Sequence, residues 1–248
     1  MWPYPKIIAH RGGGTLAPEN TLAALRCGLA HGFQAVEFDV MLAADGVPVL
    51  MHDAQLGRTI AGRGAISSLS SQELALRDAG AWFSAAFAGE PVPTLADVVA
   101  FCMAQRIWMN IEIKPAPGFE VATGAAVARL LRETIAVHGD QGLVPLLSSF
   151  SIDALLAARD IAPAIPRGWL CKAVPSAWRA QMLALDAVSL HVSHQHLTQA
   201  QVAAVHDAGY GVFCYTVNTP ERARELLAWG VDAFCTDRLD LLGADFAA

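Results

Sequence analysis

Glu37 and Asp39 stand two residues apart in the apolar run Ala35 to Val40, and on a strand that spacing points both carboxylates to one face. Val36, Phe38 and Val40 alternate with them and belong to the opposite face. Glu112, in Asn110-Ile111-Glu112-Ile113-Lys114, offers a third carboxylate. Carboxylates gathered on one side of a buried sheet repel one another unless a cation compensates. Oxygen donors without a thiolate suit a hard ion, so the set points to one divalent cation, Ca²⁺ or Mg²⁺, and away from zinc. His10 and His52 fall beside this cluster. Imidazole titrates near neutrality, which suits one as general base and the other as general acid. Arg11 presents a planar fork matched to phosphate oxygens, and Lys114 adds a second positive charge. A cation, two imidazoles and two fixed positive charges are the parts that neutralise and cleave a phosphodiester.

Such residues need a scaffold that brings distant segments to one place. Short apolar runs alternate with helical segments along the chain: Ile7 to Ala9, Ala35 to Val40, Met109 to Ile113, Pro145 to Ser149, Gly168 to Cys171, Val188 to Val192, Gly211 to Val217 and Ala233 to Thr236. Thr94 with Asp97, Ser151, Thr198 and Thr219-Pro220 mark helix starts, while Gly209 and Gly230 mark stops. Repeated βα units give a parallel sheet covered by helices, and eight of them close into a TIM (β/α)₈ barrel. In that fold the residues just past each strand's C-terminal end face the active site, which is where His10-Arg11-Gly12, Glu37, Asp39 and Glu112 fall.

Val47 to Met51 does not fit the alternation. Asp45-Gly46 is a hairpin signal, and a two-residue turn centred there pairs Asp39 with His52 across an antiparallel ladder. From about residue 54 to 93 the pattern is irregular, which reads as a small subdomain inserted at the barrel mouth of a single domain spanning 1–248.

The composition narrows the partners. Lys and Arg number 17 against 23 Asp and Glu, a net charge of −6, with no basic cluster to track a nucleic acid backbone. Charges or Pro and Gly break every apolar stretch before it reaches bilayer length, and the opening Met1-Trp2-Pro3-Tyr4-Pro5-Lys6 has no signal-peptide core. A cytoplasmic protein without membrane contact is expected, its oligomeric state not being legible. The five cysteines are scattered and form no CxxC, so they are expected as core residues rather than bridges or zinc ligands.

Taken in order, Ala9-His10-Arg11-Gly12 with Ala17-Pro18-Glu19-Asn20-Thr21, Val36-Glu37-Phe38-Asp39-Val40, Asp45-Gly46 leading to His52-Asp53, and Asn110-Ile111-Glu112-Ile113-Lys114 resemble the signature of the glycerophosphodiester phosphodiesterase family. The likeness runs on through Leu147-Ser148-Ser149-Phe150, Tyr215-Thr216-Val217-Asn218 and Cys235-Thr236-Asp237, and is greatest toward the small cytoplasmic bacterial enzymes attached to glycerol-3-phosphate uptake. One position departs: the strand before Thr216 often ends in Trp in the family and here ends in Tyr215.

The resemblance implies hydrolysis of glycerophosphodiesters, such as glycerophosphocholine and glycerophosphoethanolamine, to glycerol 3-phosphate and an alcohol. It implies His10 and His52 as the acid–base pair, Glu37, Asp39 and Glu112 as metal ligands, and Arg11 and Lys114 on phosphate. Glu19 and Asn20 would organise the first loop, with Trp82 and Phe150 lining the substrate. His191, near the end of its strand, is a further candidate for the pocket. A phospholipase D or lyase acting on lysophospholipids lacks any membrane-seeking segment here. A barrel that only binds such esters would not need two histidines beside three carboxylates.

Overall fold

The structure, a computed structural model, describes residues 2–139 and 143–247. Strand β1 (Ile7–Ala9) leads through α1 (Leu22–Ala30) to β2 (Ala35–Leu42), which turns back as β3 (Pro48–Leu50). After the short helix α2 (Ser71–Ala75), helices and strands alternate as α3 (Leu95–Gln105), β4 (Trp108–Ile113), α4 (Glu120–His138), β5 (Leu146–Ser149), α5 (Ile152–Ile161) and β6 (Arg167–Cys171). The alternation finishes with α6 (Trp178–Leu185), β7 (Ser189–Ser193), α7 (Gln199–Asp207), β8 (Gly211–Tyr215), α8 (Pro220–Ala228) and β9 (Ala233–Thr236). β1 pairs in parallel with both β2 and β9, which closes β1, β2 and β4 to β9 into a TIM barrel, and β3 lies outside the ring, antiparallel to β2.

Closure follows from the alternation seen along each strand. Val36, Phe38 and Val40 of β2 join Leu25, Val98, Val127 and Leu155 in the core between barrel and helices. The inward set is sorted by height. Ile8, Ala35, Trp108, Leu146, Phe213 and Ala233 fill the N-terminal end, where Tyr4 stacks on Trp108 at 4.5 Å between ring centroids. Glu37, Asp39 and Glu112 lie above this layer, toward the C-terminal mouth where the fold carries its active sites. Thr94 and Thr198 form capping boxes and Ser151 accepts from Ala154 N, so these helices start where their end signals stand.

The hairpin differs from the two-residue turn. Val40 stands opposite Leu50 and Leu42 opposite Pro48, so Asp39 faces Met51, whose N–H donates to the Asp39 carbonyl at 3.1 Å. Gly46 N donates to Ala43 O, Ala43 N donates to Val47 O, and Gly46 sits at φ +77. The loop therefore holds three residues, a turn followed by a left-handed glycine, and every pairing slips by one. His52 lies one residue beyond the ladder.

Within the segment 54–93, Ile60, Ile66, Leu74, Ala79 and Val92 pack against Met41, Val49 and Met51 of the hairpin as a small core of their own. Glu90 ties this segment to α1 by accepting from Ala23 N at 2.8 Å. Cys102, Cys171, Cys214 and Cys235 are buried without bridges. Cys27 is half-buried, because α1 turns Ala24, Leu25 and Gly28 inward and Cys27 lies off that stripe. Among the described residues no helix is long and apolar enough to cross a membrane.

Candidate active site

The barrel's register places the acidic residues. Glu37 pairs with Asn110 and Asp39 with Glu112 across β2 and β4, and oxygens of Glu37, Asp39 and Glu112 lie within 4.8 Å of one another. All three side chains are largely out of solvent: Glu37 is 4% and Asp39 1% exposed. Glu37 Oε1 and Glu112 Oε1 are buried without a hydrogen-bond partner. Asp39 is the best satisfied. Asn20 Nδ2 donates to its carboxylate at 2.8 Å, Lys114 Nζ stands at 3.3 Å and Arg11 Nε at 3.5 Å. Lys114 reaches Glu112 only at 3.5 Å, so one ammonium is spread over two carboxylates.

The charges move proton affinities accordingly. Burial raises Glu112, and the neighbouring Asp39 carboxylate raises it further, to about 8. Burial and Asp39 likewise raise Glu37 against the pull of His10 and Arg11. Asp39 is lowered despite burial, because Lys114 and Arg11 outweigh it. Three close carboxylates, two of them resisting ionisation and each with a bare buried oxygen, fit a hard divalent cation.

Both imidazoles are held by carboxylates. His10 Nδ1 is 2.5 Å from Asp237 Oδ1, while its Nε2 is 3.7 Å from Glu37 Oε2. Asp237 is itself clamped by Asn218, which donates to its Oδ2 at 2.9 Å and accepts from its N–H at 2.8 Å. The Gly12-Gly13-Gly14 loop makes this docking possible: Gly14 has φ +54, and a Cβ there would stand 2.2 Å from the Asp237 carbonyl oxygen. His52 Nδ1 is 2.6 Å from Asp53 Oδ1. Each ring thus fixes Nδ1 on a carboxylate and leaves Nε2 without such a hydrogen bond. Burial would depress His10, but Glu37 and Asp237 outweigh it and its pKa is raised. Burial depresses His52, and Asp39 only partly restores it.

Glu19 and Asn20 brace the first loop. Arg11 donates through Nη1 to Glu19 at 2.8 Å and through its backbone N–H to Glu37 at 3.0 Å. Asn20, at φ +58, holds Asp39 at both the carboxylate and the backbone N–H. Asn tolerates this left-handed backbone better than most residues. Trp82 and Phe83 line a cavity of about 390 Å³ with His10, Arg11, Gly14, Thr15, Glu19 and Asp237. Phe150 is half-exposed and meets Tyr215 edge to face at 5.8 Å, and the Tyr215 hydroxyl donates to Cys171 O. His191 is not brought to this group: it is fully buried, stacked on Phe213 at 4.5 Å and bonded to Ser189 Oγ, with burial holding its pKa down at about 3. Gly168, on the neighbouring strand β6, leaves the room its ring fills.

Asp53 and Asp237 are the site residues that reading along the chain does not single out for the histidines. Asp53 had adjacency to His52 as its signal, whereas Asp237 lies at the far end of the sequence and meets His10 only through β1–β9 closure.

A model of the glycerophosphoryl diester phosphodiesterase family matches residues 10–241. The chain belongs to this family. A glycerophosphodiester phosphodiesterase of Caldanaerobacter subterraneus is 30% identical over 236 residues, covering 93% of each chain. Among solved structures, an Oleispira antarctica phosphodiesterase in complex with the product sn-glycerol-3-phosphate superposes with a TM-score of 0.90 at 38% identity, over 97% of this chain and 96% of that one. A glycerophosphodiester phosphodiesterase from Agrobacterium tumefaciens follows with a TM-score of 0.79 at 30% identity, over 98% and 99%. As a member of the glycerophosphoryl diester phosphodiesterase family, the protein is an enzyme, a phosphoric diester hydrolase.

Proposed function

We propose that this phosphodiesterase hydrolyses small glycerophosphodiesters, glycerophosphocholine and glycerophosphoethanolamine among them, to sn-glycerol 3-phosphate and the free alcohol. The observation that carries the reading is the convergence of Glu37, Asp39 and Glu112 oxygens within 4.8 Å beside two imidazoles whose Nδ1 atoms are each tied to a carboxylate. The product bound in the Oleispira structure supports the same substrate class.

Glu37, Asp39 and Glu112 would hold one divalent cation, Ca²⁺ or Mg²⁺, which when bound supplies positive charge to the phosphate and polarises the attacking oxygen. Arg11 and Lys114 add fixed positive charge on the same side, where the pentacoordinate phosphorus of the transition state gathers negative charge. His10 and His52 share the proton work: one takes the proton of the attacking oxygen at Nε2, and the other delivers a proton at Nε2 to the departing alcohol. Asp237 and Asp53 hold both rings in the tautomer that leaves Nε2 free. Trp82 and Phe150 wall the substrate's organic groups. The reading places the enzyme in the cytoplasm, with a small-molecule substrate as its partner.

The test is a coupled glycerol 3-phosphate assay on a headgroup panel, after chelator treatment and again after Ca²⁺ or Mg²⁺ add-back. Release from the diesters that stops with chelator and returns with one of the two ions is expected. Undiminished turnover in the chelated protein would remove the cation from the account.

A further inference from the structure

The segment 54–93 does more than wall the mouth. Its first loop is closed by a Gln55–Ala65 bridge, by Leu56 N donating to Gly64 O at 2.9 Å and by Gly57 N donating to Ile60 O at 2.8 Å. Gly57, at φ +129, permits the turn, and the buried Thr59 and Ile60 anchor its base. Arg58 is held up at the tip. Its guanidinium grips two carboxylates at once: Nη1 and Nη2 donate to Glu19 Oε2 and Oε1 at 2.7 and 2.6 Å, and Nε donates to Asp53 Oδ2 at 2.6 Å.

Neither carboxylate ends there. Glu19 Oε1 also receives Arg11 Nη1 at 2.8 Å, and Asp53 Oδ1 meets His52 Nδ1 at 2.6 Å. One unbroken chain therefore runs Arg11, Glu19, Arg58, Asp53, His52, joining two groups from loops 41 residues apart in sequence. Without the central cation, Glu19 and Asp53 lose their shared partner. The Arg11 fork, released from a fixed Glu19, has Asp39 as its nearest alternative carboxylate, at 3.5 Å. Lysine cannot replace the link, because a single ammonium lacks the planar fork that meets Glu19 with two bonds and Asp53 with a third.

We propose that Arg58 is a positioning residue for the reaction, one guanidinium that sets the phosphate-facing Arg11 through Glu19 and the imidazole of His52 through Asp53. The inference rests on the catalytic reading above. It gives the inserted segment a second task, delivery of this arginine, beside any selection of the alcohol.

The experiment compares steady-state hydrolysis of glycerophosphocholine by wild type, Arg58→Ala and Arg58→Lys, each supplied with the divalent cation that the wild type requires. Groups that orient a catalytic residue without touching substrate typically cost about 10- to 100-fold when removed. Arg58→Ala should lose about that much in kcat/KM, mainly in kcat, with its thermal midpoint little changed, and millimolar guanidinium should restore part of the loss. Arg58→Lys should recover only a minor part. In a Glu19→Gln, Asp53→Asn background, where the chain is already cut, Arg58→Ala should cost no more than about threefold further. A loss of the same size in both backgrounds would show that Arg58 does not act through these carboxylates. Arg58→Ala within about twofold of wild type would overturn the inference outright. If Arg58→Ala does not fold, wild-type kcat in Arg58→Lys would refute the need for the fork. A wild type that releases no glycerol 3-phosphate from any diester would bring down the catalytic reading first, and this inference with it.

Discussion

In the proposed function Glu112 is a cation ligand, and that role would make cation binding a proton-coupled event. In the metal-free protein its carboxyl is raised to about 8 by burial and by the Asp39 carboxylate, so near pH 7 it is mostly protonated. A cation takes the carboxylate form, and must displace the proton to bind. Apparent affinity should therefore rise with pH up to about pH 8 and level off above, with protons released on binding below that pH. The sign for folding is the reverse of a salt-bridged acid. Since the folded-state carboxyl sits above its ordinary value of 4.5, the cost of ionising it is absent below about pH 4.5, grows as pH rises and is complete above about 8. The metal-free fold should thus lose stability across that window, and added cation should cancel the loss. Isothermal titration calorimetry in two buffers of different ionisation enthalpy reads the protons directly, and thermal melts with and without the ion read the stability. Affinity that stays flat from about pH 6 to pH 8, with no proton released, would refute the claim that this buried carboxyl is a ligand.

Other consequences are as direct. His10→Ala and His52→Ala should each lower kcat by about 10²- to 10⁴-fold with an unchanged circular dichroism spectrum, and wild-type-like glycerol 3-phosphate release by either would remove it from the proton chemistry. Asp237→Asn, which leaves His10 without its carboxylate at 2.5 Å, should cost about 10- to 100-fold in kcat while sparing the fold, read by the same assay. Gly14→Ala forces a Cβ to 2.2 Å from the Asp237 carbonyl at φ +54 and should lower the thermal midpoint by roughly 2–10 °C together with activity. Gly32→Ala, also at positive φ but with nothing within 4 Å of the added carbon, should leave turnover intact.

What the chain discloses on reading is what depends on periodicity. Each barrel strand is a short apolar run, and Val36, Phe38 and Val40 alternate with Glu37 and Asp39 so cleanly that the face of the carboxylates follows from spacing alone. Thr94, Ser151 and Thr198 likewise mark helix starts by local chemistry. The hairpin slipped because Asp45-Gly46 serves two turn types, and only the left-handed backbone of Gly46 after a preceding turn reveals the third loop residue. His191 misled because a strand's inward face runs from the mouth to the plugged end of the barrel, and its height is set by shear, which a single strand does not encode. The pairs that orient the histidines were hidden for a related reason. His10 and Asp237 are 227 positions apart, and Arg58 speaks to His52 only through Asp53.

The most direct trial of the account is a crystal structure grown with Ca²⁺ and glycerol 3-phosphate. The account predicts one ion bonded to oxygens of Glu37, Asp39 and Glu112, with the phosphate on that ion beside Arg11 and Lys114 and within hydrogen-bond reach of Nε2 of His10 and His52. An ion held elsewhere, or a phosphate bound out of reach of both imidazoles, would contradict it.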